Sequence, residues 1–88
     1  MGKESLNSFL QNSLRKIANP ELDLSQIDTS KHLHFDYGLD SLGYEKLILM
    51  IEMEYNIQIP TQDKASGFFA SLGGIQEYLK EYFAISET

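Results

Sequence analysis

Asp40 and Ser41 are the residues of this chain best placed for chemistry, because they stand where a loop gives way to its most hydrophobic helical stretch. A serine in the first turn of a helix lies beside unpaired backbone N–H groups and the positive end of the helix dipole. Both favour an attached phosphate ester. Gly38 lets the approaching chain take a tight or positive-φ conformation, and Asp40 can cap the helix while keeping a carboxylate next to the hydroxyl. By themselves these residues define an exposed serine at a helix N-terminus, open to modification.

Other chemistries fit the same neighbourhood less well. A serine hydrolase elbow, Gly-x-Ser-x-Gly, requires glycine where Leu39 stands, although Gly43 matches on the far side. No histidine follows Ser41, and His32 and His34 lie so close in sequence that a competent base geometry is unfavourable. His32, His34, Asp36 and Asp40 match no calcium-loop pattern, and two loop histidines are more simply polar residues, so no metal is expected. Cysteine is absent, which removes disulfides, thiolate metal sites and a cysteine nucleophile, so any thiol chemistry must use a borrowed sulfur. The chain is expected not to be an enzyme.

The elements that must position Ser41 are helical. A chain of 88 residues builds one domain, 1–88, and at this size buries only about 60% of its unfolded surface. Leu6, Phe9, Leu10, Leu14 and Ile17 recur at helical spacing, so a first helix is predicted from about Ser5 to Ala18, ended by Asn19-Pro20. A long connection follows to Asp40, with Leu22, Leu24, Ile27, Leu33 and Phe35 expected to pin it to the core. The second helix should start at Ser41 or Leu42 with Asp40 as N-cap, present Leu47, Ile48, Ile51 and Tyr55 on one face, and close at Asn56. After the extended Ile57 to Pro60, Thr61 is the predicted cap of a brief third helix. Ser71 is the predicted cap of a fourth, whose stripe is Leu72, Ile75, Tyr78, Leu79, Tyr82 and Phe83. The fold class is therefore all-α, with three longer helices, one short helix and a long loop between the first two.

Charge narrows the partners. The chain has 13 acids and 7 bases, a net charge of -6, and the excess sits between Glu21 and Glu54. Such a surface repels nucleic acid and anionic membrane and attracts basic protein surfaces, besides serving solubility. No apolar run approaches the ~20 residues of a membrane span. A monomeric cytoplasmic protein is expected.

Asp36-Tyr37-Gly38-Leu39-Asp40-Ser41-Leu42 closely matches the acyl carrier protein pattern of an acid, an apolar residue, Gly, a variable residue and Asp-Ser-Leu. Ile57-Gln58-Ile59-Pro60 resembles that family's exit from its second helix, Ser71-Leu72-Gly73 the start of its fourth, and Leu6 to Ile17 its first. The resemblance covers nearly the whole chain. It implies an acyl-carrier-type four-helix bundle and a covalent 4′-phosphopantetheine arm, taken from coenzyme A by a phosphopantetheinyl transferase and attached to Ser41. Gly38, Asp40 and Leu42 would flank the attachment, with Asp40 beside the metal and phosphates during transfer. Partners would be acyl-transferring, condensing or acyl-activating enzymes of fatty acid, polyketide or related specialised biosynthesis. Docking would involve Glu45, Lys46 and Glu52, and Leu47, Ile51, Ile59 and Phe68 would shelter an acyl chain. Ordinary core packing is the plainer reading of those four.

Three features depart from the family pattern. Lys46 stands where an acid is common, Gly43 should loosen the first turn, and Asp63 to Ala70 is about two residues longer than is usual in the family. A peptidyl or aminoacyl carrier and an unmodified helical adaptor remain as alternatives.

Overall fold

The computed structural model describes residues 4–86, and every regular element among them is helical. The order is α1 (Leu6–Ile17), α2 (Ser41–Tyr55), α3 (Thr61–Lys64), a 3₁₀ turn (Gly67–Ala70) and α4 (Leu72–Phe83). The all-α architecture of three longer helices and one short one is the expected one, with the 3₁₀ turn as an addition.

Local chemistry sets each boundary. Ser5 caps α1 by accepting from the Ser8 N–H at 3.1 Å, and Ala18 leaves the helix in an extended conformation just before Asn19-Pro20. Asn56 ends α2 in the left-handed region, with φ 55°. Its side chain tolerates that region better than most. Thr61, by contrast, is the first helical residue of α3 and not its cap, because Pro60 occupies that position and no side chain caps the element. Proline fixes an extended entry without a donor.

Leu10, Leu14, Leu33, Leu47, Ile51, Ile75 and Leu79 are fully buried and form the centre of the core. α1 packs on both α2 and α4, and Phe9 meets Tyr55 edge to face at 5.5 Å across the α1/α2 contact. The Ser13 hydroxyl is buried in α1 and has no hydrogen-bond partner among the described residues.

The loop from Asn19 to Asp40 is held as expected, although by fewer apolar residues. Leu33 is buried and Leu24 and Ile27 are partly so, whereas Leu22 and Phe35 face outward, Phe35 at 79% exposure. Polar ties supply the remaining order. The Leu33 N–H donates to the Ala70 carbonyl at 2.8 Å, the Gly73 N–H to the Thr29 carbonyl at 2.9 Å, and Arg15 Nε to the Leu24 carbonyl at 2.8 Å. Asp23 and Asp28 each accept from a serine two residues on. The Ser25 backbone N–H and the Ser30 hydroxyl are the chief reasons that both carboxyls sit below the usual range. On α4, Tyr82 also departs from its expected buried stripe and is exposed, stacked on Tyr78 at 5.0 Å.

Candidate functional site at the start of α2

The approach to Ser41 is a wound turn from His32 to Gly38. His32 Nδ1 accepts from the N–H groups of His34 and Phe35 at 3.0 and 3.1 Å, while Asp36 Oδ2 accepts from the His32 N–H at 2.8 Å. With its backbone fixed this way, the turn leaves Phe35 outside, its ring against His32 and His34 at 4.4 and 5.1 Å between ring centres. Gly38 has φ +70°, the conformation the sequence suggested, and nothing crowds it.

Leu39 then dives into the core at 3% exposure, between two exposed neighbours. Its N–H donates to the Leu33 carbonyl at 2.9 Å, and its carbonyl lies 2.7 Å from His34 Nδ1. A carbonyl only accepts, so that ring nitrogen carries the proton. The backbone is thus fixed on both sides of Leu39, one residue before the site.

Asp40 Oδ1 accepts from the Gly43 N–H at 2.8 Å, and the Asp40 carbonyl accepts from the Tyr44 N–H at 2.9 Å. Burial raises the Tyr44 phenol above its ordinary value, partly offset by a hydrogen bond from the His34 backbone. Because the aspartate fills the capping role, the Ser41 side chain is released from it. Ser41 is exposed, and among the described residues its hydroxyl engages no partner. An exposed, unengaged hydroxyl at a capped helix start fits a covalently attached phosphate ester. Gly43, expected to loosen this turn, is instead buried with its N–H paired. A Cβ there would lie 2.7 Å from Leu39 Cδ1.

The other expected residues fall into two groups. Glu45, Lys46 and Glu52 line one open groove of about 410 Å³ together with Leu42, Ile48, Leu49 and Lys64. Lys64, from α3, was not singled out in the sequence because nothing local ties α3 to α2. Glu52 also has a structural task, since its Oε2 accepts from the Ile59 N–H at 2.8 Å and fastens the segment after α2. Leu42 at 59%, Leu49 at 55% and Met53 at 74% exposure make the outer face of α2 partly apolar. Of the four residues named as acyl shelter, Leu47 and Ile51 are fully buried in the core, and Ile59 is buried and borders a second shallow groove. Phe68 is partly buried, with its ring against Tyr78 and Tyr82 at 5.4 and 5.8 Å. Behind them Tyr78 donates to Asp63 Oδ2 at 2.6 Å and ties α3 to α4.

Helix order, the capped α2 and the free serine together define a carrier-type domain. A family model described as the phosphopantetheine attachment site matches residues 10–65, more than half of the chain. The mitochondrial acyl carrier protein of Saccharomyces cerevisiae is 36% identical over 61 residues, which is 69% of this chain and 47% of that protein. The chain belongs to the acyl carrier protein family, whose cofactor is phosphopantetheine. It spans about half the length of that yeast relative. No solved structure gives a significant match.

Proposed function

We propose that Ser41 is the residue that takes the phosphopantetheine arm, and that the protein carries acyl groups between partner enzymes without catalysing their conversion. The observation that carries this reading is the division of labour at the start of α2, where Asp40 caps the helix and Ser41 keeps an exposed, unengaged hydroxyl. In the transfer, Ser41 Oγ bonds to the phosphorus that bears pantetheine as the pyrophosphate P–O bond of coenzyme A breaks. Adenosine 3′,5′-bisphosphate leaves, and the hydroxyl proton passes to a base on the transferase. The developing phosphodiester then lies at the N-terminal end of a 15-residue helix, whose dipole favours negative charge there.

Once attached, the arm supplies a thiol that holds an acyl group as a thioester. The chain itself contributes tethering, which raises the local concentration of the acyl group at each partner. Fatty acid or polyketide biosynthesis is the proposed setting, with a phosphopantetheinyl transferase and acyl-transferring, condensing or acyl-activating enzymes as partners. Docking is proposed along α2 through Glu45, Lys46 and Glu52 beside exposed Leu42 and Leu49. Lys46 reverses one charge on that face and so alters which surfaces it accepts. Incubation with coenzyme A and a promiscuous phosphopantetheinyl transferase, read by intact mass, tests the attachment. An adduct on wild type that is missing from Ser41→Ala supports it, and an unmodified, folded wild type contradicts it.

A further inference from the structure

Gly43 has a helical backbone, since Gly38 is the one positive-φ glycine among the described residues. Conformational freedom therefore gives no reason for glycine at position 43, and helix propensity would favour alanine. Capping gives no reason either, because any residue but proline could donate its N–H to Asp40. What remains is space. A Cβ on Gly43 would stand 2.7 Å from Leu39 Cδ1, 2.9 Å from Leu39 Cγ and 3.3 Å from Asp40 Oδ1.

Leu39 can give way only in part, through its side chain. Its side chain is buried, its N–H is held by the Leu33 carbonyl at 2.9 Å, and its carbonyl by His34 at 2.7 Å. Asp40 and Ser41 lie inside the short loop that the Leu39/Gly43 contact and the Asp40–Gly43 hydrogen bond close together. Any displacement forced at position 43 must be absorbed by that loop. We propose that Leu39 and Gly43 are a matched pair of positioning residues: the buried leucine and the missing side chain together set the Ser41 hydroxyl and the Asp40 carboxylate for arm transfer. This rests on the reading of Ser41 as the attachment residue.

The pair acts through geometry near the nucleophile and leaves the outer face of α2 untouched, so turnover should suffer while binding does not. With the full chain, coenzyme A and a phosphopantetheinyl transferase, Gly43→Ala is expected to lower kcat for transfer about tenfold, as a misplaced reacting group does, with KM for the carrier within about twofold. Adding Gly43→Ala to Leu39→Ala should change kcat by less than about twofold, because the clash is gone. Equal losses in both backgrounds, or no loss in either, would overturn the proposal. Amide exchange at position 43 reads the same coupling without the arm: faster in Gly43→Ala, slower again in the double variant. Should Gly43→Ala alone fail to fold by circular dichroism, a double variant that folds like Leu39→Ala supports the pair and one that does not fold contradicts it. A wild type that folds and takes no arm defeats the attachment reading, and the exchange measurement still decides the pairing.

Discussion

The N-terminal ends of α2 and α4 are built from nearly the same parts and leave different groups free. Each begins with a capping side chain that accepts from the N–H of a glycine three residues on, Asp40 from Gly43 at 2.8 Å and Ser71 from Gly74 at 3.0 Å. At α4 the serine is itself the cap, so its hydroxyl is engaged and the residue is only partly exposed. At α2 an aspartate caps and the serine follows, exposed and unengaged. A serine at a helix start therefore does not by itself have a free hydroxyl; a neighbour must take over the cap. The two glycines differ as well. A side chain at Gly43 meets another side chain, whereas one at Gly74 meets the backbone carbonyl of Phe68.

That last difference sets the largest expected effect. Gly74→Ala should destabilise the fold by about 3 kcal/mol, the upper range for overpacking, because a carbonyl held in the 3₁₀ turn cannot rotate away. Gly43→Ala should cost roughly 1 kcal/mol, since a leucine can partly yield and alanine propensity offsets part of the strain. Equal midpoint shifts in urea for the two variants would break the comparison.

The link between α3 and α4 gives the next. Removing the Tyr78 hydroxyl leaves Asp63 without this donor, so Tyr78→Phe should lose about 1.5 kcal/mol. The Tyr78 phenol is raised well above its ordinary value of 10.0, chiefly by burial and then by its bond to the Asp63 carboxylate. With a raised folded pKa its stabilisation is complete below the unfolded value and declines as pH rises beyond it. Wild type should therefore lose stability above about pH 10 more steeply than Tyr78→Phe, as thermal melts across alkaline pH would read. Parallel melting curves for the two would count against the buried hydrogen bond.

Cap removal sharpens the comparison directly. Asp40→Ala and Ser71→Ala should each cost about 1 kcal/mol of stability, yet only Asp40→Ala should slow the arm transfer. Similar transfer rates in the two variants would show that the capped ends do not differ in the way claimed. The smallest effect belongs to a third serine, Ser13, which is buried with an unpaired hydroxyl. Ser13→Ala should raise stability by about 0.5 kcal/mol, from relieved desolvation and better helix propensity, with transfer unchanged.

Much of this was legible in the sequence where the physics is local. Asp40, Asn56 and Ser71 act within one turn of their own positions, so their roles follow from residue type and spacing. Burial is decided by distant partners, which is why Phe35 and Tyr82, apolar and well spaced, were expected inside and lie outside. Gly43 shows the same limit in the site itself. Read alone it signals a weak first turn, and only the burial of Leu39 beneath it turns the glycine into a requirement. Lys64 entered the groove beside Glu45 and Lys46 through the placement of α3, which no local pattern encodes.

The most direct measurement of the central claim is the mass of the intact protein after reaction with coenzyme A and a phosphopantetheinyl transferase, taken on wild type, Ser41→Ala and Ser71→Ala. A single phosphopantetheine adduct on wild type and Ser71→Ala, absent from Ser41→Ala, is the expected result. An adduct that survives Ser41→Ala, or none on folded wild type, would contradict the assignment of Ser41 as the anchor.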